Sequence, residues 1–312
     1  MHHHLQLLLL WALFFASVDS FKNKRLNPPE RPSLVKDALQ NNRPIYYFGF
    51  GSNMSRKKLE NRGLNNTKIE IQSMGPAFVK DYRLSFNMIG FPPIEPGMGS
   101  LEPCDSSSRA LLKYKEQECH GALVKLDPEN YEKVMRSEGV GGDSSLGEEI
   151  VVLCRPYDSP DKPVEAIALR ACSHLRLSFD PCPSARYMTL LREGAKELQL
   201  KECYQDFLAK HPVQRLSPWQ RKQSTYNLIF TMGMSMKFKM RWISVLQSRL
   251  LFLVYAQPTA PRSVQVASDL VTAAILLPGS LCGYALHKSG KVPVQMTKFM
   301  QLFEEDDGKK KE

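Results

Sequence analysis

No pair of the seven cysteines has C-x-x-C spacing, and no histidine lies at zinc-finger distance beyond them. The count is odd and the chain, at 312 residues, is long. Neither a disulfide framework nor a structural zinc site is implied, and most of the cysteines read as plain buried thiols. The pattern G-x-x-x-x-G-K-[ST] is absent, so there is no P-loop. No internal repeat is found, and strands and helices do not follow one another as strict β-α-β units. The class that fits is α+β with a mixed sheet. Basic charge is missing from the middle of the chain. Residues 45–212 hold 22 Lys and Arg against 23 acidic residues, whereas 213–312 hold 14 against 6 and 1–44 hold 6 against 3. The net charge of +10 therefore sits on the two ends. A folded groove tracking phosphates needs basic residues on the folded part, which argues against a nucleic-acid partner.

What is present begins with a targeting pattern. Residues 5–17, LQLLLLWALFFAS, are an apolar run too short for a comfortable membrane span. Small residues follow up to Phe21, as in a secretory signal, although His2, His3 and His4 stand where Lys or Arg is usual. A Phe after such a segment, followed by a basic stretch, resembles the bipartite presequences that lead to complex plastids. The expectation is a targeting segment over 1–20 with entry to the secretory pathway, or else an uncleaved N-terminal anchor. Residues 21–44 contain four prolines and no apolar periodicity and read as a linker. Asn53-Met54-Ser55 and Asn65-Asn66-Thr67 are glycan acceptor sequons.

The spacing predicts strands at Ile45–Phe50, Tyr82–Met88, Cys119–Leu126, 149–155 and 164–171. Helices are expected from Ser55 to Arg62, from Asp127 to Glu138, and over 184–198 and 200–210. Asp127-Pro128 is an N-cap followed by proline at the first helical position. Residues 90–109, rich in Gly, Pro and Ser, read as a loop.

Three groups of residues can carry chemistry. In Tyr46-Tyr-Phe-Gly-Phe50-Gly51-Ser52-Asn53-Met54, a glycine ends a buried strand and a helix is expected to start at once. Unpaired N–H groups there suit a carboxylate or phosphate, and Ser52 and Asn53 can donate or cap. The same residues also fit an ordinary capped turn. Tyr131, Val134, Met135 and Glu138 share one helix face, which puts a carboxylate at the end of an apolar stripe. Burial there disfavours the charged form, as suits a general base, though a helix-end Glu also reaches solvent easily. Tyr187 lies early in its helix with Leu190, Leu191 and Gly194, a position that fits core packing as well as a pocket.

The ordered set Y-F-G-F-G-S-N-M, D-Y-R-L-S-F, H-G-A-L-V-K-L, S-E-G-V and P-S-A-R-Y…E-G-A-K-E-L resembles the γ-glutamylcyclotransferases over residues 45–210. The resemblance implies a small closed β-barrel with flanking helices. It implies conversion of γ-glutamyl amino acids or amines to 5-oxoproline and the free amine, with no metal or cofactor. Glu138 would be the acid/base, Phe50, Gly51, Ser52, Asn53 and Met54 would hold the γ-glutamyl moiety, and Tyr187 would line the pocket. The family's usual tyrosine before Gly-Ser-Asn is Phe50 here, and the stretch after Glu138-Gly139 is longer. The neutral middle of the chain leads to the expectation of a carboxylate pocket built from backbone N–H groups rather than Lys or Arg. A catalytically silent binding module on the same barrel is the alternative. A third reading is the same cyclisation acting on a γ-glutamyl-protected metabolite with a larger leaving group.

Residues 213–312 match nothing in that resemblance and read as a helical extension packed on the barrel. The apolar stretches 242–257 and 264–286 carry Arg249 and Asp269 in their interiors, which is costly at a bilayer centre. Met232, Met234, Met236 and Met240, interleaved with Lys237, Lys239 and Arg241, suit a membrane-surface or partner-binding helix.

Overall fold

A computed structural model describes residues 29–63, 67–104, 118–141, 145–238, 241–258 and 260–290. The segment expected to be a targeting signal, most of the second sequon and the acidic-basic tail lie outside them. Strands β1 (Ile45–Gly49), β2 (Ser73–Lys80), β5 (Glu118–Leu126), β6 (Gly147–Pro156) and β7 (Val164–Ala171) form a closed barrel in the order β1-β5-β2-β6-β7. Every pairing is antiparallel except the one that closes the ring, where β1 meets β7 in parallel at Tyr47 and Ile167. The fold is thus α+β with a small mixed barrel, as expected.

Both faces of β1 are covered, which is why its sequence is apolar throughout rather than alternating. One core cluster holds Phe48, Phe50, Met54 and Met188, the other Ile45, Tyr47, Tyr131 and Met135. The second is covered by helices α1 (Ser33–Gln40) and α3 (Pro128–Ser137). Helix α3 starts as read from sequence: the Asp127 carboxylate accepts from the Asn130 amide, with Pro128 at the first position.

Two expectations are corrected. The second half of the supposed linker is α1, which buries Val35 and Ala38 against the barrel. Four prolines masked a single amphipathic turn pair. Just before it, Arg31 clamps Glu149 through two hydrogen bonds of 2.8 and 3.0 Å. The supposed loop at 90–109 contains strand β4 (Glu95–Pro103), which pairs with β3 (Tyr82–Phe91) in a separate hairpin. The glycines of β4 are close-approach positions: a side chain on Gly97 would strike the Phe86 carbonyl and Pro181.

After the short helix α2 (Arg56–Glu60) and the barrel, α4 (Ala185–Glu197) and α5 (Glu202–Lys210) close the first core cluster. The extension is helical: α6 (Pro218–Phe238), α7 (Arg241–Val254) and α8 (Arg262–Lys288). It packs on the hairpin through Ile94 and Leu228, and Arg249 donates to the His174 carbonyl at 2.9 Å.

Candidate active site

Glu138 sits where α3 stops. Gly139 follows it with φ +69°, a left-handed conformation natural to glycine, and the Val140 amide bonds back to the Met135 carbonyl at 2.9 Å. The helix end therefore fixes Glu138 at the rim of the barrel, beside the loop that leaves β1. There the Asn53 amide donates to its Oε1 at 2.8 Å. Arg62, from the turn after α2, pairs with the same oxygen and reaches Ser52 Oγ at 2.5 Å. The Glu138 and Arg62 side chains are 24% and 27% exposed, so the pair opens to solvent.

Asn53 is buried and ties the loop to the barrel wall: its amide nitrogen also donates to the Tyr47 hydroxyl at 2.8 Å. Its own Oδ1 is buried without a hydrogen-bond partner. Such an orphan acceptor is costly unless something donates to it. Burial excludes a glycan on Asn53 in the folded protein. The Tyr187 hydroxyl lies next to the loop, 3.1 Å from where a side chain on Gly51 would begin, and accepts from the Gly99 amide at 3.1 Å. Burial pushes the Tyr187 phenol up to about 12, with the Glu138 charge adding to the rise and the Gly99 amide opposing it. Burial, and then Glu138, raise Tyr47 further still. Both phenols therefore stay protonated at neutral pH.

Of the residues singled out in the sequence, Gly51, Ser52, Asn53, Glu138 and Tyr187 converge here. Met54 does not present its side chain to the site, and Phe50 approaches it only with a ring edge, 3.6 Å from where a side chain on Gly99 would begin, on the side of the Tyr187 hydroxyl. Phe50 packs in the barrel core with Phe48, ring centroids 6.2 Å apart, and Met54 is fully buried against Gly194 of α4. They hold the loop from behind. The loop itself is a single 3-10 turn, Ser52–Met54, and α2 begins only after Ser55. An α-helix N-terminus at Gly51 is therefore not formed, and the expectation of a site without Lys or Arg is corrected by Arg62. Sequence reading also missed Tyr47. Period-two alternation puts it on the same side of β1 as Gly49, toward Asn53, a signal that was available. Arg62 carried no local signal: its partner is 76 residues away.

The site is thus a carboxylate, a guanidinium, two neutral phenols and a buried amide acceptor grouped on a barrel-edge loop. No protein-family model matches the chain. Among curated proteins it is similar to the γ-glutamyl cyclotransferase gliK of Aspergillus fumigatus, 29% identical over 179 residues, covering 54% of this chain and 63% of that one. It is also similar to the γ-glutamyl cyclotransferase gliK of Claviceps purpurea, 31% identical over 147 residues, covering 46% and 61%. The chain spans about three-fifths of the length of these two relatives. A solved structure titled γ-glutamyl cyclotransferase aligns at 19% identity with a TM-score of 0.43, covering 56% of this chain and 91% of that one. Both curated relatives carry the name γ-glutamyl cyclotransferase, the family whose motifs the sequence resembles over residues 45–210.

Proposed function

We propose that this chain is a γ-glutamylcyclotransferase, releasing 5-oxoproline and a free amine from γ-glutamyl amino acids or amines. The observation that carries the reading is the Glu138 carboxylate beside the unpartnered Asn53 Oδ1. A γ-glutamyl group brings an α-amine, which donates, and an α-carboxylate, which accepts. The amine fits the paired acceptors Glu138 and Asn53 Oδ1. The carboxylate fits Arg62 and Ser52, which already bond to each other across the loop.

With the amine held there, its nitrogen attacks the γ-carbonyl carbon. The new C–N bond closes a five-membered lactam, and the bond to the leaving amine breaks. The proton lost by the attacking nitrogen passes to Glu138 and then to the leaving nitrogen, so water is not consumed. Tyr47 and Tyr187, protonated and buried, are suited to donate to the oxyanion that forms at the γ-carbon. Because attack is intramolecular, holding the chain folded supplies much of the rate.

The names of the relatives support this reaction class, and the residues need no further group to complete it. Glutathione and plain γ-glutamyl amino acids are both within the substrate class. The test is 5-oxoproline release over a panel of γ-glutamyl amino acids, γ-glutamyl amines and glutathione. Release from at least one supports the reading, and silence across the panel with folded protein contradicts it.

A further inference from the structure

Among the described residues, helix α8 is held to the protein by one face only. Gly279 and Gly283 let it press on α6: side chains there would strike Asn227 Oδ1 and the Tyr226 carbonyl. Between them, the Ser280 hydroxyl donates to the Gln223 carbonyl at 2.9 Å; nearer the start of α8, the Ala273 carbonyl accepts from Gln223 Nε2 at 2.8 Å. The rest of α8 carries eight of the fourteen exposed large hydrophobic side chains among the described residues, with Leu270 at 68% and Leu281 at 61%.

Five of the eight share one face. At about 100° per residue, Val266, Leu270, Leu277, Leu281 and Tyr284 fall within about 60° of one another. No charged residue interrupts that stripe until Lys288 at its end. Asp269, the interior charge that makes a bilayer crossing costly, lies about 100° away from Leu270 on the same wheel. The helix is long and apolar enough to cross a membrane by composition alone. Its attached face, with buried Leu276, Gly279, Ser280 and Gly283 set against Gln223 and Asn227 of α6, is built for protein contact instead. Charge decides what the stripe meets. Residues 213–290 hold nine Lys and Arg, of which Arg249 is turned to the His174 carbonyl, against one acidic residue, Asp269.

We propose that α8 docks in the plane of an anionic phospholipid surface, its apolar stripe entering the headgroup boundary and the basic helices around it meeting the lipid charge. The enzyme would then work on a membrane face while its barrel stays in water. This inference does not depend on the reaction assigned to Glu138.

The test is flotation of the full chain with vesicles of phosphatidylcholine alone or mixed with phosphatidylserine. The expected result is binding to the mixed vesicles, weakened by high salt. The variant Leu270→Ser/Leu277→Ser/Leu281→Ser should bind about tenfold less or worse, with unchanged far-UV circular dichroism and unchanged turnover of a soluble substrate. No binding by the wild type would overturn the proposal. So would equal binding by the folded variant, which would assign any affinity to the apolar segment at residues 5–17. A wild-type dimer in solution that the variant abolishes would also overturn it, by making the stripe an interface between copies.

Discussion

Asn53 and Glu138 lie 85 residues apart in sequence, and a 2.8 Å hydrogen bond joins the barrel-edge loop to the end of α3. The same amide nitrogen donates to Tyr47. With both its donor contacts spent on protein, Asn53 faces the site with an acceptor only. The loop is thereby set to receive a donor next to a carboxylate. On the function proposed above, that arrangement would separate the amine end of a γ-glutamyl group from its carboxylate end, the latter beside Arg62.

Arg62 makes the first prediction. Arg62→Ala should raise KM for an L-γ-glutamyl substrate by about tenfold or more, the worth of a charge-assisted contact. A substrate with its α-carboxylate amidated should already bind poorly and be little affected by the change. Steady-state kinetics on both substrates decides it. An unchanged KM for the acid would remove Arg62 from the site.

Gly51 makes the second. Its φ is −106°, so backbone strain does not demand glycine, but a side chain would begin 3.1 Å from the Tyr187 hydroxyl. Gly51→Val should cut kcat/KM by about tenfold or more through that contact. Adding Tyr187→Phe removes the oxygen being struck, so the double variant should recover part of the loss rather than add to it. Simple additivity of the two losses would show that the crowding lies elsewhere.

Four of the five barrel strands, α3 with its cap, and Glu138 were legible because each rests on a local pattern: apolar runs, Asp127-Pro128, and a stripe ending at Gly139. Strand β2 was missed, since Ser73-Met-Gly-Pro shows no alternation and its pairing partners, β5 and β6, lie far along the chain. Strand β4 was hidden by glycines that the close approach of neighbouring backbone requires. The site was half legible. Gly51, Ser52 and Asn53 form one contiguous signal, but Arg62 and Tyr47 acquire meaning only from what the fold brings beside them.

The N-terminal boundary is the third prediction. A chain starting at residue 45 loses the burial of Val35 and Ala38 and the Arg31–Glu149 clamp. It should be less stable than a chain starting at residue 29 by about 2–4 kcal/mol, mostly from apolar burial. Urea denaturation of the two measures this. Equal midpoints would mean that α1 is dispensable to the barrel.

The fourth concerns pH. His120 is buried among aromatic rings, its Nδ1 2.6 Å from the Tyr157 hydroxyl, with Glu118 and Lys201 nearby. Burial, and secondarily the Lys201 charge, lower its proton affinity to a value of about 4 from 6.5. The unfolded chain then binds the extra proton first, so this histidine withdraws stability as pH falls from 6.5 toward 4. Thermal midpoints across that window should drop less steeply in His120→Asn than in the wild type. Parallel curves would remove His120 from the acid response.

The central claim is that Glu138 carries the proton between the attacking and the leaving nitrogen. Glu138→Gln keeps the shape and an acceptor oxygen for Asn53 but cannot take up the proton. The direct measurement is 5-oxoproline formation by wild type and Glu138→Gln on the best substrate of the panel, with circular dichroism confirming that both are folded. The expected result is a loss of about 10²-fold or more in kcat. A folded Glu138→Gln protein that turns over at the wild-type rate would contradict it.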